Sequence, residues 1–258
     1  MIQLLCVTHG RRNRNRGSME RVTLITGASK GIGLASARLL AERGHTVVGL
    51  ARHATDDRFP GALHLVDLSD RQALAEMLRR LTAQYRFNGL VNNVGFVTPQ
   101  LLDALELAAY DQTFEVNATS AMLCAQALSP GMQAQRFGRI VNIASEVVLG
   151  MTRRTAYAAA KAVLMSFTRT WALELAGHGI TVNTVSPGPV DTEFFAANNP
   201  SGSALRQSKV DRIPRGRIGL PADVANAVGF FMQAESEFVT GQNLYVCGGS
   251  SLGSSSFL

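Results

Sequence analysis

The chain has 258 residues, of which 46% are hydrophobic and 17% charged, a composition typical of a globular protein that can bury a sizeable core. It contains no uninterrupted apolar run of about 18 residues, so the sequence predicts no membrane-spanning helix. The formal net charge is +6, but residues 1–18 hold four arginines and no acid, which leaves +2 for the rest. The rest of the chain is therefore nearly neutral and lacks the excess of basic residues expected of a nucleic-acid-binding protein.

Residues 1–18 precede the first predicted element, and we expect them to form a disordered basic extension. Met19 would then be the functional start of a single domain over 19–258. The alternative is a transit-peptide-like or anion-binding segment. The three cysteines, Cys6, Cys124 and Cys247, are widely spaced and form no Cys/His cluster. The sequence therefore indicates neither a disulfide framework nor a metal site, and a reducing cytoplasm fits it best.

From residue 21 onward, short apolar and β-branched runs alternate with longer stretches of helical spacing. The first helix runs to about Glu42 and ends at Gly44, and a second covers residues 74–81. Predicted strands cover residues 22–25, 46–50, 63–66, 89–92, 139–143, 180–185 and 243–246. Apolar strands separated by helices predict an α/β fold, a Rossmann-type doubly wound parallel β-sheet with helices on both faces. In such sheets, ligands bind in the loops beyond the carboxyl ends of the strands.

The first of these loops has the sequence TGASKGIG over residues 26–33. Its small residues let the backbone approach a pyrophosphate, which the N–H groups at the start of the following helix would bind. Glycines also serve ordinary tight turns, so it is the position between a strand and a helix that favours a dinucleotide site. The candidate cofactor-binding residues are Gly27, Ser29, Lys30, Gly31, Ile32 and Gly33.

The end of the second strand indicates which dinucleotide binds. An acid there would bind the ribose hydroxyls of NAD and repel the additional phosphate of NADP. This chain has Arg52 followed by His53, and Lys30 lies in the glycine loop. Two cations suit a 2′-phosphate through charge-assisted hydrogen bonds, so we expect NADP(H). The alternative is that Arg52 is a solvated loop charge.

Three further loops supply candidate residues. Asp67 and Leu68 follow the third strand and could hold the adenine. Asn93, Val94 and Gly95 follow the fourth and let the chain pass close to the cofactor ribose.

Tyr157 and Lys161 have the i, i+4 spacing that places two side chains on one helical face. Ser145 lies upstream, after the fifth strand, and Asn117 lies in an earlier helix. A tyrosine with a pKa of about 10 is a poor acid or base at neutral pH. We expect the Lys161 ammonium and a positively charged nicotinamide to lower that pKa by about 3 units, a change of roughly 4 kcal/mol.

These ordered motifs together resemble the single-domain short-chain dehydrogenase/reductase family. The resemblance covers about residues 21–249 and includes the glycine loop, the NNVG run at 92–95, and the SPGPVDT run at 186–192. It also includes the candidate catalytic residues Asn117, Ser145, Tyr157 and Lys161. A tyrosine and a lysine at this spacing are common by chance, whereas the ordered set of motifs is specific.

The resemblance implies a mechanism for carbonyl–alcohol interconversion by hydride transfer. Tyr157 would donate or remove the proton of the substrate oxygen, and Ser145 would polarise that oxygen. Lys161 would bind the nicotinamide ribose and lower the pKa of Tyr157, and Asn117 would hold a water of a proton relay. The nicotinamide carboxamide would be fixed by Pro187, Gly188, Val190 and Thr192.

The resemblance also implies a mobile lid over about residues 193–219 and a homotetramer, with a dimer as second choice. Pocket candidates are Phe96, Val147, Val148, Leu149, Met151, Phe194 and Phe195, which favour a medium-sized, partly apolar substrate. Two positions depart from the family pattern: Val94 replaces an alanine, and Cys247 an aspartate near a subunit contact.

The nearest subgroup by pattern is the 3-oxoacyl-(acyl-carrier-protein) reductases, which dock an acidic carrier through basic residues near the site entrance. Arg136 falls at one such position, but His178, mostly neutral at pH 7, falls at another. A reductase of a free ketone, a sugar or a cyclic alcohol is an equal alternative. A catalytically silent NADP-binding redox sensor or scaffold is disfavoured because the catalytic residues are present. An extended epimerase or dehydratase is disfavoured because no second domain follows Thr192.

Overall fold

A computed structural model describes residues 20–55, 58–197 and 199–252. The predicted extension at 1–18, Met19 and Cys6 lie outside the described residues. Seven parallel strands form one sheet in the order β3-β2-β1-β4-β5-β6-β7. The strands are β1 (Arg21–Thr26), β2 (His45–Ala51), β3 (Ala62–Leu65), β4 (Gly89–Asn92), β5 (Gly138–Ile143), β6 (Ile180–Pro187) and β7 (Asn243–Val246).

The described residues form eight α-helices. They are α1 (Gly31–Glu42), α2 (Arg71–Gln84), α3 (Leu107–Phe114), α4 (Ser120–Gln135), α5 (Thr155–Leu175), α6 (Glu193–Ala196), α7 (Ala204–Val210) and α8 (Pro221–Phe231). Helices α1 and α8 pack on one face of the sheet, whereas α2, α4 and α5 pack on the other. Helices α6 and α7 contribute to a cavity at the carboxyl ends of the strands. Successive strand residues alternate between the faces: Leu24 belongs to one core cluster and Ile25 to the other. The predicted α/β fold class is confirmed.

The predicted strands match the observed ones closely. The largest difference is at β6, which was expected over 180–185 and runs to Pro187, while β3 is shifted by one residue, from the expected 63–66 to Ala62–Leu65. Val66 lies past the strand end, although its N–H still donates to the carbonyl of Ala51. The first helix ends as predicted, because Gly44 has the left-handed φ of +82° that follows many helix C-termini.

The position of Asn117 differs from a regular helix. Residues Glu115–Thr119 form one π-helical turn between α3 and α4, and such turns often occur at functional sites. The strand order changes direction between β1 and β4, and this switch point creates a crevice at the carboxyl ends of the strands.

Candidate active site

A cavity of about 750 Å³ lies at the carboxyl ends of the strands, within the size range of small-molecule sites. It brings together every predicted site residue except two, Gly33 and Asn117. The predicted residues that line it are Gly27, Ser29, Lys30, Gly31, Ile32, Arg52, Asp67, Leu68, Asn93, Val94, Gly95, Ser145, Tyr157, Lys161, Pro187, Gly188, Val190 and Thr192.

The glycine loop connects β1 to α1 and has little room for side chains. Gly27 and Gly31 have φ values of +62° and +55°, which favour glycine. Gly33 does not line the cavity. A Cβ atom there would lie 2.2 Å from the carbonyl oxygen of Gly27, so this glycine lets the helix pack against the loop.

We expect Gly33→Ala to displace the loop, to lower the free energy of unfolding by about 1–3 kcal/mol, and to weaken NADPH binding. The reason is that the new methyl group meets backbone, which cannot move aside as a side chain can. Urea unfolding and NADPH fluorescence titration measure the two effects. Gly131→Ala is the matched control, since no atom lies within 4 Å of the added Cβ in that helix. Equal behaviour of the two variants would contradict the packing argument.

Asn93 and Thr26 brace the glycine loop. The Asn93 side chain donates to the carbonyls of Thr26 and Gly27 at 2.9 and 3.0 Å. The Thr26 hydroxyl accepts from the backbone N–H groups of Asn93 and Val94 at 2.9 and 3.1 Å. Asn93 therefore acts on the cofactor loop through the loop's own backbone, a role that the sequence motif did not reveal.

The predicted 2′-phosphate residues lie along the same cavity. Arg52 is exposed, and its Nε contacts His53 Nε2 at 3.1 Å. Lys30 pairs with Glu193 at 2.6 Å, and both side chains are largely exposed. Such an exposed pair contributes little stability, so exchanging Glu193 for an anionic ligand costs little. Asp67 accepts from the N–H and hydroxyl of Ser69, and these bonds lower the pKa of its carboxyl.

The segment after β6 is held on both sides by backbone hydrogen bonds. The Gly188 N–H donates to the carbonyl of Val246, and Val190 pairs with Gly219 in an isolated bridge. Thr192 caps helix α6, with its hydroxyl accepting from the Phe195 N–H at 3.2 Å. This fixed segment forms the wall of the cavity opposite the glycine loop, and an added Cβ on Gly31 would lie 3.1 Å from Thr192 Cγ2.

Tyr157 and Lys161 project from one face of α5, as predicted. The Lys161 side chain is buried, and its Nζ donates to the carbonyls of Val94 and Ile143 at 3.2 and 2.9 Å. That Nζ lies 5.8 Å from the centroid of the Tyr157 ring. The two bonds fix the ammonium at the junction of strands β4 and β5, beneath the tyrosine.

Asn117 does not line the cavity, but its side chain lies beside Gly95, which does. Its Nδ2 donates to the carbonyls of Phe96 and Thr113, and its Oδ1 accepts from the Phe96 N–H at 3.2 Å. A Cβ built on Gly95 would lie 3.8 Å from Asn117 Oδ1 and 4.0 Å from both Lys161 Nζ and Tyr157 Oη. Three polar groups from distant parts of the chain thus surround one glycine.

Ser145 follows β5 and begins the 3-10 turn Glu146–Leu149. Its hydroxyl accepts weakly from the Val147 N–H at 3.4 Å, and it also acts to lower the pKa of Tyr157. Of the predicted pocket residues, Phe96, Val147, Met151, Phe194 and Phe195 line the cavity. Val148 and Leu149 do not, because the tight turn directs them away from it, so their prediction was wrong.

The protonation states of the catalytic pair differ from the sequence prediction. Burial raises the pKa of Tyr157 to about 12, while the charge of Arg154 and the Ser145 hydrogen bond act in the opposite direction. Burial also lowers the pKa of Lys161 to about 7. The chain alone does not produce the expected lowering of the tyrosine pKa, because desolvation disfavours both charged forms.

The two candidate carrier-docking residues lie at the wrong end of the sheet within this chain. Arg136 precedes β5 and His178 precedes β6, so both lie at amino ends, opposite the cavity. The Arg136 guanidinium donates to the carbonyl of Gly177 at 3.0 Å. Their expected position near the site entrance was wrong for a single chain.

Sequence reasoning missed several charged residues of the cavity, namely Glu146, Arg153, Arg154 and Lys209. Arg153 and Arg154 carried one available signal, since they are adjacent cations that shortly precede Tyr157. Among the described residues, no helix is long and apolar enough to cross a membrane. Over the same ranges, no group of three His, Cys, Asp or Glu side chains could hold a metal ion.

Comparison with known proteins agrees with this geometry. A family model described as enoyl-(acyl carrier protein) reductase matches residues 27–251. The chain is 37% identical to the 3-oxoacyl-(acyl-carrier-protein) reductase FabG of Vibrio cholerae over 240 residues, 89% of this chain and 96% of the relative. It is 39% identical over 247 residues to (2S)-((R)-hydroxy(phenyl)methyl)succinyl-CoA dehydrogenase subunit BbsD of Thauera aromatica, 92% of this chain and 98% of that relative.

Among solved structures, a putative NAD(P)-dependent gluconate 5-dehydrogenase from Beutenbergia cavernae, with bound NADP, superimposes with a TM-score of 0.83. The two chains are 30% identical, and the match covers 89% of this chain and 96% of the other. Fold, family model and relatives agree over nearly the whole described region. The chain therefore belongs to the short-chain dehydrogenase/reductase family, as its sequence motifs predict.

Proposed function

We propose that this protein interconverts a carbonyl and a secondary alcohol through a site built from Ser145, Tyr157, Lys161 and Asn117. The relatives confirm the reaction class, an oxidoreductase that uses NADP(H). The observation that carries the site assignment is the meeting of Tyr157 Oη, Lys161 Nζ and Asn117 Oδ1 around Gly95. Side chains of three separate segments converge there, at the carboxyl end of β4.

The cavity suits a nicotinamide dinucleotide along its whole length. The loops with Gly27 and Gly31 bring backbone N–H groups close to the position of the pyrophosphate. Arg52 and Lys30 supply cations for the 2′-phosphate, and Asp67 and Leu68 border the adenine. The Pro187, Gly188, Val190 and Thr192 segment holds the nicotinamide end. When bound, NADPH would supply the hydride, and its oxidised form would carry a positive charge on the nicotinamide ring.

The chain's own groups handle the proton. With a pKa of about 12, Tyr157 is protonated at neutral pH, which is the state needed to donate to a substrate carbonyl oxygen. Ser145 lines the same cavity, and in this proposal its hydroxyl donates to the same substrate oxygen. Asn117 keeps one acceptor position of Oδ1 free of the Phe96 N–H, and we propose that it holds a water of the relay.

Arg52 tests the cofactor preference. We expect Arg52→Asp to raise the KM for NADPH by about 10- to 100-fold while changing that for NADH much less. The substitution removes a charge-assisted bond to the 2′-phosphate and adds a repulsive carboxylate. Steady-state kinetics with both cofactors measures the ratio. Arg80→Asp makes the same charge change on the exposed face of α2, outside the cavity, and serves as control. If the ratio of the two KM values did not change, Arg52 would be a solvated loop charge with no part in binding the 2′-phosphate.

The substrate is medium-sized and partly apolar in this proposal, with residues 193–219 acting as a mobile lid. Phe194 supports it, since its ring centroid lies 6.4 Å from that of Tyr157. A 3-oxoacyl thioester and a free ketone or cyclic alcohol both fit such a pocket. Arg136 and His178 lie at the amino ends of the strands, so in this proposal a carrier docked on them would reach the cavity of another subunit of the homotetramer.

A panel of carbonyl compounds tests the function directly. NADPH oxidation would be followed with acetoacetyl thioesters, aliphatic ketones, cyclic ketones and quinones, and NADH would be run in parallel. Turnover of one class with NADPH preferred is the expected result. Tight NADPH binding without turnover in either direction would favour the silent sensor or scaffold instead.

We further propose a homotetramer and a reducing, cytoplasmic location. Exposed apolar side chains support assembly, notably Leu107, Leu173 and Phe238. Cys124 and Cys247 are free thiols, in keeping with a reducing compartment. Light scattering coupled to size-exclusion chromatography would give the mass; a monomeric mass would contradict the assembly.

A further inference from the structure

A half-buried arginine lines the cavity beside the catalytic tyrosine. Arg154 directly precedes α5, three residues before Tyr157, and both side chains line the cavity. Its positive charge acts to lower the pKa of the Tyr157 hydroxyl, against the larger effect of burial. Nothing in the proposed proton transfer uses this cation.

Arg154 lies on the side of Tyr157 away from Lys161. Arg154 precedes Tyr157 at the start of α5, whereas Lys161 follows Tyr157 about one helical turn later. Lys161 points to the cofactor side, where it is bonded to Val94 and Ile143. Arg154 therefore borders the part of the cavity left for the substrate.

The guanidinium has an unused capacity to bind an anion. Among the described residues, no carboxylate lies within 4.0 Å of it. Its one hydrogen bond runs from Nη1 to the carbonyl of Arg153 at 3.1 Å, although a guanidinium carries five N–H donors. Partial burial of such a group is unfavourable without an anionic partner.

With the other charged side chains counted, this end of the cavity has a net positive charge. Arg153 and Lys209 also line it, and Glu146 is the acid on this side. Glu146 accepts a hydrogen bond from the Ser250 hydroxyl, so one carboxylate oxygen is directed to the C-terminal segment. Glu193, the acid of the lid that lines the cavity, is paired with Lys30, and the neighbouring Asp191 is paired with Arg206.

We propose that Arg154 binds a carboxylate of the substrate, so that the preferred substrates are keto acids or hydroxy acids. This inference rests on the proposed function, because it assumes that the substrate carbonyl lies at Tyr157. The planar guanidinium can bind a carboxylate with two parallel hydrogen bonds. Binding the acid group at Arg154 fixes the distance and orientation of the carbonyl relative to Tyr157.

Two pairs of ketones that differ only in charge test this assignment: 4-oxocyclohexanecarboxylate and levulinate, each with its methyl ester. For the full-length protein with NADPH, we expect Arg154→Gln to lower kcat/KM for the acids by about 30-fold, equivalent to about 2 kcal/mol, mainly through KM. The esters should change by less than about 3-fold. Arg169→Gln removes the same charge from an exposed site farther along α5 and should behave as the wild type.

The ester arm separates binding from an effect on the tyrosine. If Arg154 acts only by lowering the pKa of Tyr157, acids and esters will lose activity equally and the pH profile will shift upward. That result would overturn the proposal. Equal preference of the wild type for acid and ester would overturn it as well.

A binding measurement keeps this test independent of turnover. Calorimetry with the NADP⁺-loaded protein should show the acids binding about 30-fold more weakly to Arg154→Gln than to the wild type. Arg154-dependent binding without turnover of any ketone would refute the proposed reaction and leave the anion site intact. No binding of the acids to the wild type, or equal binding to both proteins, would refute the anion site.

Discussion

We expect Tyr157→Phe to lower kcat by about 10²- to 10⁴-fold, the usual contribution of a positioned general acid. The substitution removes one hydroxyl and keeps the ring, so the packing against Phe194 stays in place. The hydroxyl lies near Gly95 and not in the glycine loop at residues 26–33. Its loss therefore deletes the proton donor and leaves that loop intact. The dissociation constant for NADPH should therefore change by less than about 3-fold.

Single-turnover kinetics and fluorescence titration of NADPH separate these two effects. Tyr85→Phe is the control, because Tyr85 packs against the core far from the cavity and should keep its activity without the hydroxyl. Parallel losses of turnover and cofactor binding in Tyr157→Phe would place Tyr157 in cofactor binding and not in proton transfer.

Lys161→Met is expected to abolish most activity and to change the pH dependence of stability. The variant loses the cation near Tyr157 and leaves the carbonyls of Val94 and Ile143 without their donor. Burial holds the pKa of Lys161 at about 7 in the folded chain, against an ordinary value of 10.5. Between these values the unfolded chain binds more protons, so rising pH favours the folded wild type by up to about 1.4 kcal/mol per unit.

Urea unfolding at pH 7, 8 and 9 measures this effect as a difference between proteins. The wild type should gain stability relative to Lys161→Met across that range. Tyr157→Phe retains Lys161 and should follow the wild type. Parallel curves for the wild type and Lys161→Met would mean that the buried lysine titrates near its ordinary value.

Much of the fold could be predicted because it depends on local patterns. Buried parallel strands are near-continuous apolar runs, and all seven appear within one or two residues of their expected bounds. The glycine loop was equally visible, since positive φ at Gly27 and Gly31 and the close contact at Gly33 each require glycine. Each of these requirements applies to a single residue, so the glycine itself can be recognised in the sequence.

The remaining features depend on contacts between distant segments. Lys30 meets Glu193 across 163 positions, and no periodicity records that pairing. The π-helical turn that directs Asn117 to the Phe96 backbone is likewise a tertiary result. Val148 and Leu149 were misassigned because apolar character alone does not show which side of a tight turn faces a cavity.

The pKa of Tyr157 is a further property that the sequence could not predict, in this case for an electrostatic reason. Spacing indicated that a cation lies near the tyrosine, and the structure confirms the proximity at 5.8 Å. Spacing could not reveal that desolvation acts on both groups, and desolvation has the largest effect on the pKa of each. The protonated tyrosine that results at neutral pH is suited to carbonyl reduction.

The most direct test of the central claim follows the hydride itself. NADPH carrying deuterium at the hydride-donating ring carbon would be incubated with the carbonyl that reacts best, and the alcohol product analysed by mass spectrometry. The account predicts one deuterium on the former carbonyl carbon in the wild type and almost no labelled alcohol from Tyr157→Phe. Alcohol formed without deuterium, or labelled product at the wild-type rate from Tyr157→Phe, would contradict it.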